Sequence, residues 1–427
     1  MTVIIILAFV VAVCALGHVF KINYGLLGII FAFIAGCLVC GFSPNTVIGF
    51  WSTKLFFQMF SITFFYAFAI NNGTLDVLTK KLVYSARNTT FLIPIIMFLV
   101  AAILTGIGPG SISMILILVP IVSQVSKHVG LHPAMNAIML ITGVSAGCWS
   151  PICVSGLTIR GLIEAVGYSV EEANIYSSIV FRNAVIASSI MFVVAYIVFR
   201  AWKCRTYVTD QPDPFTKQQK MSLTLIVVLT VLLTLPPVMN SLVGTPFFKW
   251  ATTNFDPTFL AVIFGVISIF LKLGDEKKTI LSVPWNTIIM VCGMGMIISV
   301  ASEAGTMTYL SEFITRSFPA PLIPLIMALV AGIMSVFFST IGVVVPALYP
   351  VIFSMSAATG ASPALLFSLV PIASGYTGSS PFSLFGAMIV ASAEEKDKPK
   401  LFLQLLLVAG SALLSIVVLA AVGVISD

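Results

Sequence analysis

The chain has 427 residues, of which 59% are hydrophobic and only 8% are charged. A soluble domain carries roughly 25% charged residues, and a disordered chain is polar and poor in aromatic residues, so both classes are excluded. The formal net charge of +6 is spread over short loops, without the basic cluster and interleaved aromatic residues of a nucleic-acid-binding surface. The composition therefore predicts an all-α polytopic membrane protein that lies in a lipid bilayer.

Apolar segments long enough to span a bilayer recur along the chain. A spanning helix needs about 20 apolar residues. The candidate spans, of which 132–168 and 362–393 are interrupted, are 2–18, 24–42, 54–72, 132–168, 172–202, 221–242, 257–274, 286–302, 362–393 and 399–426. Two short segments, 74–87 and 306–316, are expected to lie along the membrane interface as arms.

Two further apolar stretches, 91–126 and 320–357, break near their middle at small and polar residues. The first stretch breaks at Gly106–Ser111 and the second at Ser339–Gly342. The arms on either side have about 15 residues, which is short for a crossing. Each stretch is therefore predicted to form a re-entrant helical hairpin, which enters the membrane and returns on the same side.

The sequence repeats itself at a constant offset. Residues 92–103 and 322–333 are identical at nine of twelve positions without a gap. The same offset aligns the residues that break helices, such as Pro120 with Pro350, Ser150–Pro151 with Ser380–Pro381, and Gly156 with Gly386. Apolar composition alone would not align these residues, so the pattern indicates a duplication.

The number of crossings predicts the orientation of the two copies. Each half contains five predicted spans, an odd number, so the second copy is expected to be inverted in the membrane. Inverted repeats with broken helices at matching places are typical of secondary transporters. The predicted domains are a first repeat at 1–202, a cytoplasmic linker at 203–220 and a second repeat at 221–427.

The basic residues predict which side of the membrane each loop faces. With both termini outside the cytoplasm, sixteen of the 21 Lys and Arg residues fall on one side. Cytoplasmic loops carry an excess of basic residues, so the majority side is expected to be cytoplasmic. The five that fall on the opposite side are Lys54, Arg160, Arg182, Lys249 and Arg316.

The breaks are the candidate binding sites. Four half-helices are expected to begin near the midplane, around Ser111 and Ile341 and after Pro151 and Pro381. A proline in the first helical turn with a serine just before it, as at Ser150–Pro151 and Ser380–Pro381, favours a helix start. Helix N-termini favour an anion. Non-helical backbone at this depth must be satisfied by protein, water or a ligand. The candidate substrate-binding residues are Gly110, Ser111, Ser113, Trp149, Ser150, Ser339, Thr340, Ser379 and Ser380. The alternative is that these small residues only pack helices closely.

Sodium is favoured over protons as the coupling ion. A proton relay usually requires a carboxylate or histidine in the path, and none lies at the breaks. Glu164 follows Arg160 by four residues and is expected to pair with it on one helix face. Hydroxyl and carbonyl oxygens can ligate sodium, and the candidate ligands are Ser145, Cys148, Thr377 and Gly378. No cofactor other than a coupling ion is expected.

One motif could indicate an enzyme. Residues 143–147 match the GxSxG pattern, which in a hydrolase presents a nucleophilic serine on a sharp turn. An intramembrane serine hydrolase would need a histidine at the depth of Ser145, but His128 and His132 lie near the interface. The repeat copies this stretch at 373–377, so we interpret it as half of a repeated helix break and expect no catalytic residues.

The motifs at the breaks resemble a known group of carriers. The stretches Gly108–Ser113, Val119–Ile121 and Ala146–Pro151, with Asn72–Leu75 ahead of them, are similar to the malonate-type dicarboxylate carriers. These and the divalent anion/sodium symporters belong to the ion transporter superfamily. The symporters carry Ser-Asn-Thr at both hairpin tips, where this chain has Gly110–Ile112 and Thr340–Gly342.

The resemblance implies an elevator-type secondary transporter of small organic anions, above all dicarboxylates, driven by a cation gradient. It implies a homodimer in the inner (plasma) membrane of the cell. Scaffold spans at 1–72 and 221–302 would hold transport parts at 91–202 and 320–427, which move. An alternative within the superfamily is the large membrane subunit of a tripartite transporter that depends on a soluble binding protein.

Overall fold

A computed structural model of the chain describes residues 2–85, 89–108, 111, 114–115, 118–119, 122, 126, 129–203, 211–336, 338–382, 386, 390 and 398–427. This part of the chain is helical, with turns and loops between the helices and no β-strand. The all-α prediction is therefore confirmed for the residues that the structure describes.

The helices of the first half follow the predicted segments. The α-helices are α1 Thr2–Phe20, α2 Tyr24–Phe33, α3 Pro44–Gly49, α4 Thr53–Asn71, α5 Thr74–Ser85, α6 Ile93–Gly106, α7 Pro133–Cys148, α8 Val154–Ala165 and α9 Val170–Val198. A π-helical segment, Ile34–Val39, extends α2.

The second half is also helical in its described residues. The α-helices are α10 Lys217–Leu242, α11 Pro246–Asn254, α12 Pro257–Phe270, α13 Glu276–Leu281, α14 Trp285–Glu303, α15 Thr306–Ser317, α16 Ile323–Ser335, α17 Val345–Thr359, α18 Pro363–Thr377 and α19 Lys398–Ala421. A π-helical segment, Thr340–Val344, precedes α17. The helices α4, α5 and α6 have counterparts in α14, α15 and α16, which begin at nearly the offset of the sequence repeat.

Several helices have the length and apolar character of membrane spans. In the described part, six helical segments reach 18 residues with sufficient hydropathy, namely Pro44–Asn71, Val170–Val198, Lys217–Pro236, Trp285–Glu303, Thr340–Thr359 and Pro399–Ala421. The arms of the predicted hairpins and the predicted broken spans contain shorter apolar helices: Ile93–Gly106, Ala134–Cys148, Ala320–Ser335 and Pro363–Thr377. The chain is thus a multi-pass membrane protein, with helices interrupted where the sequence predicts breaks.

The chain divides into two compact units. The first unit comprises Met1–Phe56, Thr158–Val194 and Trp285–Asp427. Its apolar core includes Ile6 and Val13 of α1, Ile297 of α14, and Val343 just before α17. Both halves of the sequence therefore contribute to this one core.

The second unit comprises Phe57–Leu157 and Ala195–Pro284. Its span α4 carries a run of aromatic residues, in which Phe64 lies between Phe60 and Phe68 with ring centroids 5.6 and 5.4 Å away. At the end of α4, Asn72 donates to Ser222 Oγ at 2.8 Å and to the Leu273 carbonyl oxygen at 3.2 Å. These bonds join segments that are far apart in sequence.

Close approach of two helix backbones holds α2 against α14 in the first unit. A Cβ atom at Gly25 would lie 2.0 Å from the Ile289 carbonyl oxygen, and one at Gly293 would lie 2.2 Å from the Gly25 carbonyl oxygen. Only glycine fits at these positions, because any Cβ atom would clash with the neighbouring backbone. Small residues commonly let helix backbones approach closely in membranes. The glycines of this pair therefore fix the distance between the two helices.

We expect the Gly293→Ala variant to unfold at a lower temperature than the wild type, since an overpacked contact costs about 1–3 kcal/mol. The matched control is Gly295→Ala in the same helix, where an added Cβ meets nothing within 4 Å. The control should unfold at or above the wild-type temperature, because alanine favours a helix over glycine. The measurement is thermal unfolding of the purified proteins, and equal stability of the two variants would contradict the proposed contact.

Candidate functional site

The first half-site lies where α6 and α7 both end. The two helices pack along a contact that we name the first seam, formed by residues 98–106 and 143–147. A Cβ atom at Gly143 would lie 2.7 Å from the Phe98 carbonyl oxygen, and one at Gly147 would lie 2.0 Å from the Ala102 carbonyl oxygen. Glycine at these positions brings the ends of the two helices together inside the span.

The break in the broken helix places Trp149 and Ser150 in the protein interior. Trp149 is 3% exposed and Ser150 is 7% exposed. The Ser150 amide donates to the Gly147 carbonyl oxygen at 3.0 Å, and its own carbonyl oxygen accepts from Cys153 at 3.0 Å. The side-chain oxygen of Ser150 accepts from the Ile152 amide at 3.5 Å. A turn therefore occupies the break.

One expectation about this break was wrong in detail. Sequence analysis placed Pro151 in the first turn of the second half-helix with Ser150 just before it, but α8 begins at Val154. A turn of residues 149–153 separates α7 from α8. In this turn the Cys153 amide donates to the backbone carbonyl oxygen of Ser150, and the Ser150 hydroxyl does not cap α8. Ser150 thus lies at the break but not at the helix start.

Two hydrogen bonds hold the backbone just after the end of α6. The Tyr66 hydroxyl donates to the Ile107 carbonyl oxygen, just after the end of α6. Gly108 adopts a φ of 150°, and its carbonyl oxygen accepts from the Val154 amide at 3.4 Å. These bonds satisfy two carbonyl groups of the backbone that follows the helix. Tyr66 was not predicted to contact this break, because the sequence shows only that a tyrosine lies on a predicted span.

The second half-site has a different set of contacts. Helices α16 and α18 pack along what we name the second seam, where Ser335 Oγ donates to the Ser374 carbonyl oxygen at 2.7 Å. Ser335 Oγ also lies 3.1 Å from Thr340 Oγ1. Ser339 accepts from the Gly342 amide at 3.2 Å and so caps the segment that begins at Thr340. The prediction that helix resumes near residue 341 is confirmed.

Three of the predicted residues in the second broken helix are buried and hydrogen-bonded within it. Thr377 Oγ1 donates to the Ala373 carbonyl oxygen at 3.0 Å, and Ser379 Oγ donates to the Tyr376 carbonyl oxygen at 2.6 Å. Ser380 Oγ accepts from the Phe382 amide at 3.3 Å. The Gly378 amide donates to the Ser374 carbonyl oxygen at 2.9 Å. Hydroxyls and backbone groups are thus concentrated at this break, as the sequence indicates.

The remaining predicted residues are only partly within the described structure. Ser111 is half-buried, whereas Gly110 and Ser113 lie outside the described residues. Ser145 and Cys148 lie in the last turns of α7, where the Cys148 thiol donates to the Ser145 carbonyl oxygen at 3.6 Å. Neither half-site contains, among the described residues, a group of three or more His, Cys, Asp or Glu that could hold a metal ion.

The GxSxG motif does not form the turn that a nucleophilic serine needs. Ser145 lies inside α7, which runs without interruption from Pro133 to Cys148. The two glycines of the motif, Gly143 and Gly147, are the positions that contact α6 in the first seam. The pattern is therefore explained by helix packing.

An ion cluster lies near the C-terminal end of α8. The predicted pair is confirmed, with Arg160 Nε 3.6 Å from Glu164 Oε1. Lys54 Nζ forms a second ion pair with Glu164, which sequence analysis did not anticipate. The side chains of Arg160 and Glu164 are 19% and 13% exposed, whereas that of Lys54 is 53% exposed. A carboxylate this buried is stabilised by its two cationic partners.

Comparison with known proteins shows similarity to transporters. Residues 1–148 match the family of the dicarboxylate carrier protein MatC N-terminus. This match covers both helices of the first seam and stops at Cys148, the last residue of α7. No curated protein sequence matches the chain.

Two solved structures share the fold. The YdaH transporter of Alcanivorax borkumensis, described as having an unusual topology, is 15% identical, with a TM-score of 0.61 over 89% of this chain and 87% of that chain. MtrF of Neisseria gonorrhoeae, described as illuminating a class of antimetabolite efflux pumps, is 16% identical, with a TM-score of 0.56 over 88% and 82%. At these identities the likeness shows the fold alone. None of these similarities points to an enzyme.

Proposed function

We propose that the chain is a secondary active transporter of small organic anions, above all dicarboxylates, and that a cation gradient drives it with sodium as the coupling ion. The observation that carries this proposal is the match of residues 1–148 to a dicarboxylate carrier family. The matched part contains α6, its break after Gly106 and the whole first seam. The two buried helix breaks supply the binding chemistry.

The duplication supports a carrier built from two inverted repeats. Helices α4 to α6 recur as α14 to α16, each pair beginning at nearly the same offset along the chain. The breaks after α6 and α16 also correspond, since these helices end at Gly106 and Ser335. Inverted repeats with discontinuous helices place substrate near the bilayer midplane, where half-helix ends meet it.

We assign an elevator mechanism to this architecture. The scaffold would comprise 1–72 and 221–302, with arms at 74–87 and 306–316. The transport parts would comprise 91–202 and 320–427, and the cytoplasmic linker at 203–220 would join the first repeat to the second. The protein would act as a homodimer in the plasma membrane.

The substrate carboxylates would bind at the breaks of both halves. Buried backbone N–H groups and hydroxyls stabilise an anion, and a hydrogen bond to a charged group contributes about 1.5–3 kcal/mol. The proposed substrate-binding residues are Gly110, Ser111, Ser113, Trp149, Ser150, Ser339, Thr340, Ser379 and Ser380. Sodium would bind to oxygen atoms beside them, with Ser145, Cys148, Thr377 and Gly378 as its ligands.

Replacing Ser150 or Ser380 by alanine should weaken the apparent affinity for the substrate by about ten- to a hundredfold, because one hydrogen bond to a charged group is lost. The measurement is sodium-dependent uptake of radiolabelled malonate or succinate into liposomes that contain only the purified chain. Uptake by this chain alone would also exclude a tripartite transporter, which needs a soluble binding protein.

The matched control for these serines is Ser268→Ala. Ser268 is 1% exposed, lies on α12 and donates to the Phe264 carbonyl oxygen at 2.8 Å within its own helix. The Ser268→Ala variant should transport the substrate at the wild-type rate and affinity. If Ser150→Ala and Ser380→Ala transport as well as this control, the broken helices are structural and do not bind substrate.

Both termini are proposed to lie outside the cytoplasm, following the distribution of basic residues. On a background without native cysteines, single cysteines at Lys81 and Lys277 should be protected from an impermeant thiol reagent added outside. Cysteines at Lys249 and Glu172 should react with it. The opposite labelling pattern would overturn both the orientation and the inversion of the second repeat.

A further inference from the structure

A buried hydroxyl in the first seam lacks a hydrogen-bond partner. Thr105 is 0% exposed, and its Oγ1 atom finds no donor or acceptor among the described residues. Burying a polar group without a hydrogen bond is unfavourable, and such a group in a native protein requires an explanation. A role as the ligand of an ion is one such explanation.

Two other buried hydroxyls, on Ser61 of α4 and Thr306 at the start of α15, also lack a partner among the described residues, but neither lies in the first seam. Several buried hydroxyls of this chain donate to the carbonyl oxygen four residues earlier in the same helix, as Thr63, Thr79, Thr142, Ser268 and Thr377 do at 2.6 to 3.0 Å. This local bond is the usual way in which a helical Ser or Thr is satisfied within an apolar span. Thr105 has the same opportunity on α6 and does not take it.

The position of Thr105 on α6 places it in the first seam. Phe98, Ala101 and Ala102 contact α7 at Gly143 and Gly147. Thr105 follows Phe98 by seven residues and Ala102 by three, which is the spacing of one helix face. The Thr105 hydroxyl therefore lies on the face toward α7, one residue before the end of α6.

The ends of α6 and α7 make this seam attractive for a cation. The last carbonyl groups of a helix have no partner within it, and the C-terminal end carries a partial negative charge. Neither α6 nor α7 has a basic residue in its last turn to offset that charge. A small hard cation takes oxygen ligands, which the carbonyl groups and the Thr105 hydroxyl supply.

The equivalent hydroxyl of the second half is hydrogen-bonded within the protein. Ser335, which the sequence repeat aligns with Thr105, is also 0% exposed. Its Oγ atom donates to the Ser374 carbonyl oxygen at 2.7 Å and lies 3.1 Å from Thr340 Oγ1. This side chain joins the end of α16 to α18, which is a structural role.

We propose that the two halves divide their roles, so that Thr105 ligates the coupling cation in the first seam while Ser335 holds the second seam together. The inference rests on the proposed function of the chain as a cation-coupled carrier. It identifies Thr105, which sequence analysis did not select, as a ligand, and it makes the two repeats unequal in cation binding.

The test compares Thr105→Val with Ser335→Ala in the purified full-length chain. Thermal unfolding is followed while sodium chloride replaces choline chloride at constant ionic strength, with and without succinate. Thr105→Val should raise the sodium concentration for half-maximal stabilisation at least tenfold. Its unfolding temperature in choline should equal or exceed that of the wild type, because the variant removes an unpaired hydroxyl. Thr105→Ser, which keeps the hydroxyl, should restore the response to sodium.

Ser335→Ala provides the contrast. It should unfold at a lower temperature in choline, because its bond to Ser374 is lost, and should respond to sodium within twofold of the wild type. If Thr105→Val is insoluble, Thr105→Ala is titrated instead. A wild-type sodium response in the Thr105 variant, or an equal loss in Ser335→Ala, overturns the inference and leaves the proposed function standing. If sodium does not stabilise the wild type at all, the proposed sodium coupling itself fails, and the Thr105 assignment fails with it.

Discussion

The structure depends on satisfying polar backbone groups inside a membrane. An unbroken helix pairs its own amides and carbonyls, so each interruption leaves groups that need partners in a medium without water. In the first half, the Tyr66 hydroxyl donates to the Ile107 carbonyl oxygen, and the Val154 amide donates to the Gly108 carbonyl oxygen. In the second half, the Gly342 amide donates to Ser339 Oγ where the helix resumes. Specific neighbouring groups therefore stabilise the breaks by hydrogen-bonding to their backbone groups.

The two halves meet this constraint with different residue types. The first seam uses glycine, so that the backbones of α6 and α7 nearly touch at Gly147. In the second seam a hydroxyl on α16 makes the cross-helix bond, since Ser335 Oγ donates to the Ser374 carbonyl oxygen of α18. In the proposed duplicated architecture, the breaks of the two halves correspond while the groups that line them differ. Such divergence would let a carrier bind different chemical groups, an anion and a cation, at related positions.

Much of this fold could be predicted from the sequence because helix breakers are local signals. The ends of α6 and α16, the resumption of helix at Thr340 and the pairing of Arg160 with Glu164 all follow from residues within one or two turns. The start of α8 was misplaced, since Pro151 permits a turn as readily as a first helical turn. Lys54 and Tyr66 were missed because their partners, Glu164 and Ile107, are distant in sequence. Thr105 gives no sequence signal, because its missing hydrogen bond and its place in the first seam appear only in the folded chain.

The central claim is that the broken helices bind a small dicarboxylate together with sodium. Isothermal titration of malonate, and separately of succinate, into the purified chain tests it most directly, once in sodium chloride and once in choline chloride. The account predicts saturable binding in sodium and an affinity at least tenfold weaker in choline. Equal affinity in the two salts would contradict sodium coupling, and the absence of binding by malonate and succinate in both would contradict the proposed dicarboxylate site.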